Sequence, residues 1–125
     1  MVKETASGVR AGDRYWIWGQ DAGSHHACRA NKTWKLPGVN RMGPAAGAAY
    51  LGLRRMFRVV MSGKPEPPFD AESETLRHLD ELVWSAVGDK GSRRHSDSGT
   101  DLDEVLRQAA RFPNVTGAVL DDFFR

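Results

Sequence analysis

The amino-acid sequence predicts an α/β protein with parallel strands in the order β-α-β-α-β. Three observations carry that expectation. Three short runs, near residues 14–19, 82–87 and 115–120, are nearly continuously apolar, as strands buried on both faces are. Each run leads directly into polar residues: Gln20-Asp21, Asp89-Lys90 and Asp121-Asp122. The segments between them space their apolar residues at helical intervals.

Residues 1–13 are polar and aperiodic, and are expected to form a flexible lead-in to a domain over residues 14–125. Tyr15-Trp16-Ile17-Trp18, aromatic and β-branched and closed by Gly19, suits a first strand. A polar stretch from Gln20 to His26 follows, then a long loop to Met42 that carries Trp34; loops of that length usually form a lid or a binding wall. Pro44 is pre-set for the first turn of a helix expected to run to about Ser62. Ala49, Leu53, Met56, Phe57 and Val60 fall on one face of it. Gly63 would end this helix in the left-handed region, and Pro65, Pro67 and Pro68 prevent its resumption. Asp70 suits the cap of a short helix to about Arg77. Leu82-Val83-Trp84-Ser85-Ala86-Val87 is the second strand. Thr100 is a plausible N-cap for a last helix with Leu102, Val105, Leu106 and Ala109 on one face, closed by Pro113. Val115-Thr116-Gly117-Ala118-Val119-Leu120 is the third strand.

Two closed architectures suit parallel strands joined by right-handed crossovers, a (β/α)8 barrel and a doubly wound sheet. No P-loop or GxGxxG fingerprint follows any strand, and Gly19 and Gly23 have the wrong spacing for a dinucleotide turn, which disfavours nucleotide binding. A (β/α)8 barrel needs about 250 residues. A chain of 125 residues with three such strands is therefore expected to be the first part of a (β/α)8 TIM barrel. Its partner would be the remainder of the barrel, or a second copy associating through the exposed strand edges. The alternative is a small module that completes itself by dimerising.

A formal charge of +2 with scattered basic residues gives no reason to expect nucleic-acid or membrane partners. Cys28 is the single cysteine, so no intrachain disulfide can form. No signal-peptide pattern or bilayer-length apolar run is present, and a cytoplasmic location is the default expectation.

The candidate chemistry lies in the residues that follow the strands. Ligands of parallel α/β folds gather at the carboxyl ends of the strands. Three stretches stand there: Trp18-Gly19-Gln20-Asp21-Ala22-Gly23-Ser24-His25-His26, Trp84-Ser85-Ala86-Val87-Gly88-Asp89, and Gly117-Ala118-Val119-Leu120-Asp121-Asp122-Phe123-Phe124. Together they resemble the early strands of bacterial TIM-barrel proteins similar to glycoside hydrolases. The resemblance implies a domain that binds or acts on carbohydrate through strand-end carboxylates, here Asp21, Asp89, Asp121 and Asp122; no cofactor is expected.

Glycoside hydrolysis needs two carboxyl groups across one bond. Asp121 and Asp122 are neighbours on a strand and should point to opposite faces. Parity with Thr116 favours Asp122 as the inward-facing one, with Asp121 bracing the rim, unless a bulge intervenes. The expected catalytic carboxylates are thus Asp122, Asp121 and Asp21. The expected substrate contacts are Gln20, His25, His26, Trp34, Asp89 and Arg93.

Adjacent histidines lack the spacing of a helical zinc pair and no CxxC accompanies them, so no metal is expected. Trp16, Trp18 and Trp84 are expected in the core, Trp34 at the ligand. A non-catalytic α/β module that holds a small ligand or a partner chain is the alternative function.

Overall fold

A computed structural model describes residues 8, 10–24, 38–87 and 101–121. The described elements are a 3-10 helix (Ala11–Asp13), β1 (Ile17–Gly19), α1 (Pro44–Leu51), β2 (Arg55–Arg58), α2 (Asp70–Thr75), β3 (Glu81–Val87), α3 (Leu102–Arg111) and β4 (Val115–Leu120). The four strands form one sheet in the order β1-β2-β3-β4, every pairing parallel. The α/β class and the parallel pairing agree with the sequence expectation. The number of strands does not.

The extra strand, β2, lies inside the stretch expected to be one helix from Pro44 to Ser62, and it separates β1 from β3, which were expected to be neighbours. The helix stops at Leu51 because Gly52 adopts the left-handed conformation, φ 65°, with its N–H turned back to the carbonyls of Ala48 and Ala49. Beyond it, Met56 and Arg58 are buried while Arg55 and Phe57 are half-buried, the period-two pattern of a strand. The spacing of Leu53, Met56, Phe57 and Val60 therefore matched a helix by coincidence, and Gly52 with the β-branched Val59-Val60 was the contrary signal. Gly63 does have a positive φ, 76°, but together with Ser62 at 52° it makes the tight turn that bridges Met61 to Lys64.

Rows of side chains cross the sheet in register. Ile17, Met56, Leu82 and Val115 form one row on the face that packs against the helices. They share a core with Ala48 of α1, Leu76 and Leu79 after α2, and Val105 of α3. Gly19 lets α1 approach β1, since a β-carbon there would fall 2.7 Å from Met56 Sδ and 3.3 Å from Pro44. The next row on the same face is Gly19, Arg58 and Trp84. On the opposite face the row is Trp18, Phe57, Val83 and Gly117, and no described helix lies over it. Right-handed crossovers between strands that follow one another in a single direction put every helix on one face.

Two aromatic expectations change accordingly. Trp84 is fully buried, but Trp18 is 48% exposed, and Trp16 is half-buried with its ring stacked on Phe57 at 4.7 Å. Residues 10–13, at the end of the expected lead-in, sit against the body: Gly12 is buried against the Gly52 carbonyl, and the Asp13 carbonyl accepts from Arg55.

Helices α2 and α3 are clasped by charge. Asp70 accepts from Arg107 and Arg111, Glu104 accepts from Arg107, Gln108 and the Phe69 N–H, and Gln108 is fully buried between the two carboxylates. The Arg107 hydrogen bond, opposed by partial desolvation, holds the Asp70 carboxyl at about 2. Burial pushes Glu104 up, but the Arg107, Phe69 and Gln108 hydrogen bonds outweigh it and leave it lowered. A carboxyl depressed by folding stabilises above its unfolded pKa, about 4, and loses that contribution as pH falls through its folded value. The stability difference between the protein and Asp70→Asn should be largest above pH about 4 and should vanish towards pH about 2 in urea unfolding. A difference independent of pH would show that the carboxylate charge is not what clasps the helices.

Candidate functional site

Because all strands are parallel, Gln20 and Asp21 after β1, Val59 to Met61 after β2, and Asp121 after β4 stand along one edge of the sheet. Asp121 is tied to its neighbour there, its N–H donating to the Val87 carbonyl at 2.9 Å. His25, His26, Trp34, Asp89, Arg93 and Asp122 lie outside the described residues, as does Cys28. Of the expected site residues, Gln20, Asp21 and Asp121 can be located.

The organising side chain at this edge is one that sequence reasoning missed. Arg58 ends β2 and is 1% exposed. Its Nε donates to Glu72 Oε1 at 2.8 Å, and its Nη1 to the Val59 carbonyl at 2.8 Å and the Gly19 carbonyl at 3.3 Å. Nη2 pairs with Asp21, and the guanidinium lies over the Trp84 ring, 5.7 Å from its centre. Trp84 in turn donates from Nε1 to Ser73 Oγ at 3.1 Å and stacks on Phe69 at 4.2 Å. One planar fork thus joins the loop after β1, the end of β2, α2 and β3, a task for which the geometry of arginine is suited.

Alternation explains why Asp21 meets Arg58. Trp18 belongs to the open face and Gly19 to the helix face, so Gln20 continues the open side and Asp21 the helix side. Asp21 is therefore an anchor of the β1 loop, its side chain 38% exposed. Gln20 accepts at Oε1 from Ser24 Oγ, 3.1 Å, which closes the first turn of that loop.

Parity on β4 also differs from the expectation. Val115 pairs with Leu82 but Gly117 pairs with Val83, so the register shifts by one residue at Thr116. Past this bulge Gly117 points at Val83, 3.6 Å from where its β-carbon would lie, and the open-face row on β4 is Gly117 and Val119. A second shift lies between Ser85 and Val87, just before Asp121, so strand parity carries no further than Val119. The bulge removes the parity with Thr116 on which the inward assignment of Asp122 was based, and Asp122 itself lies outside the described residues. Asp21 and Asp121 stand three strand spacings apart, roughly 14 Å, which exceeds either carboxyl separation used in glycoside hydrolysis, about 5 or up to about 9.5 Å.

Two hollows flank the end of β1. One, of about 370 Å³, lies beside β1 and is lined by Trp18, Gln20, Asn40, Met42, Gly43 and Pro44 among others, none of them charged. The second, of about 250 Å³, lies between Asp21 to Ser24 and the Met61–Lys64 turn. Among the described residues no group of three His, Cys, Asp or Glu side chains could hold a metal ion, and no helix is long and apolar enough to cross a membrane. No family model, curated protein or solved structure matches this chain.

Proposed function

We propose that this chain forms part of a glycoside-hydrolase-like (β/α)8 barrel that binds or acts on carbohydrate at the carboxyl edge of its strands. The observation that carries the reading is the strand order. A doubly wound sheet reverses direction and binds its ligand at the reversal; β1-β2-β3-β4 runs one way, with all described helices on one face. That arrangement is the local plan of a barrel, whose interior would be the open row Trp18, Phe57, Val83 and Gly117, and whose chemistry sits where Gln20 and Asp121 stand. In this reading Asp121 is a catalytic carboxylate. A second carboxyl group must come from a position nearer to it than Asp21, which serves Arg58.

In the full-length protein, Asp121→Asn should lower turnover on a glycoside panel by about a hundredfold or more with little change in unfolding midpoint. Asp21→Asn should do the reverse, lowering stability while turnover of the folded fraction persists. Equal turnover in Asp121→Asn and the parent would refute the catalytic assignment. One observation favours a non-catalytic ligand-binding module instead: Asp21 and Asp121 are too far apart to act as a pair. Sugar binding without turnover of any glycoside would establish that second reading.

A further inference from the structure

We infer that Ser85 is a positioning residue for Asp121: its buried hydroxyl holds the bulge at the end of β3 to which the Asp121 amide is tied. The inference rests on the catalytic reading of Asp121 and adds to it the side chain through which that position is set. Ser85 is the one hydroxyl in the apolar run Leu82-Val83-Trp84-Ser85-Ala86-Val87, and it is fully buried. A buried hydroxyl in such a run must find an acceptor.

The acceptor is the Val87 carbonyl, two residues on, 2.8 Å from Ser85 Oγ. The same carbonyl accepts from the Asp121 N–H at 2.9 Å. A carbonyl oxygen has two lone pairs, so both bonds form together, and a carbonyl held twice is fixed in direction. This happens where the register between β3 and β4 shifts for the second time. Ser85 pairs with Val119 and Val87 with Leu120, which leaves Ala86 as an extra residue on β3.

Bulges are rare between parallel strands, and beside a site they re-aim a side chain. The side chain of Ala86 belongs to the core, and its carbonyl accepts from the N–H of Asp101, which precedes α3, at 2.7 Å. The helix layer therefore grips one residue of the bulge, and Ser85 grips the next, the one that meets Asp121. Without the hydroxyl the Val87 carbonyl loses one of these two bonds and can rotate, and the Asp121 backbone moves with it. A displacement of about 1 Å at a catalytic group is enough to cost up to about a hundredfold in rate.

The experiment compares Ser85→Ala, Ser85→Thr and Ser85→Val in the full-length protein, each with and without Asp121→Asn, on the glycoside panel and per folded molecule. Thr and Val share a shape and differ by the hydroxyl, so that pair carries the comparison if Ser85→Ala fails to fold. Ser85→Ala should lower kcat about tenfold while KM holds within about twofold. Ser85→Thr should recover most of that loss and Ser85→Val none of it. In the Asp121→Asn background, loss of the Ser85 hydroxyl should cost less than about twofold more, because the group it positions is already gone. Hydrogen exchange read by NMR should show the Asp121 amide about fivefold faster in Ser85→Ala, with the earlier amides of β4 within about twofold of the parent. Unchanged kcat without the hydroxyl, equal losses in both backgrounds, Ser85→Val as active as Ser85→Thr, or an unchanged Asp121 exchange rate would each overturn the inference and leave the catalytic reading of Asp121 standing. A parent that turns over no glycoside, or Asp121→Asn as active as the parent, would remove that reading and the inference with it.

Discussion

Arg58→Ala should cost this fold about 3 to 5 kcal/mol, the range for removing one partner of a buried ion pair. The buried guanidinium holds two carboxylates and two backbone carbonyls from different elements, so its loss leaves Asp21 and Glu72 facing one another without a cation. Both acids retain contact with water, their side chains 38% and 27% exposed, which draws the expectation towards the lower end of that range. Arg58→Lys preserves the charge but not the fork, and should recover only part of the loss because one ammonium cannot reach Glu72, Asp21 and the Gly19 carbonyl together. The informative variant is Arg58→Met with Asp21→Asn and Glu72→Gln. Taking away the whole charged set removes the penalty of orphaned ions, so this triple variant should be more stable than Arg58→Ala in urea unfolding. If it were less stable, the ion pairs themselves, and not the penalty of orphaned ions, would be the source of the loss in Arg58→Ala.

Legibility in the sequence followed how local the cause was. β3 and β4 are readable because each is a continuous apolar run closed by a breaker or a carboxylate, although in β4 Thr116, Ala118 and Leu120 are exposed and the strand is not buried on both faces as expected. β2 is short, begins and ends on arginine, and sits four residues after a helix, so only Gly52 separated it from a helical period. Helix α3 was legible as a helix but not in its orientation. Leu102 and Leu106 are 47% and 59% exposed, while Gln108 is fully buried because Asp70 and Glu104 take its amide hydrogens. The site was legible as an edge, Gln20, Asp21 and Asp121 all falling on it, but not in its wiring. Arg58 finds Glu72 14 residues away and Asp21 37 residues away, and neither pairing leaves a mark on the local pattern. A bulge at Thr116 is equally silent, yet it breaks the parity by which residues beyond it were assigned to a face.

Trp84 carries the second large expectation, since it is the residue through which the polar edge and the apolar core meet. It is fully buried, lies nearly parallel to Phe69 at 4.2 Å, supports Arg58 on its ring and gives its indole N–H to Ser73. Trp84→Ala should destabilise by about 3 to 5 kcal/mol, the range for emptying a large aromatic site in a packed core. The same substitution takes the donor from the Ser73 hydroxyl, itself fully buried, and the apolar floor from beneath the guanidinium. Trp84→Phe separates these contributions. It keeps a ring against Phe69 and under Arg58 but cannot donate, so it should cost about 1 to 3 kcal/mol for the unsatisfied hydroxyl and the smaller volume. Adding Ser73→Ala to Trp84→Phe should then return part of that cost, because a buried polar atom without a partner is replaced by one that needs none. Urea unfolding followed by far-ultraviolet circular dichroism reads all three variants. A Trp84→Ala loss below about 1 kcal/mol would mean that the helix layer closes over the vacated space, and that Phe69 and Arg58 do not depend on the indole for their positions.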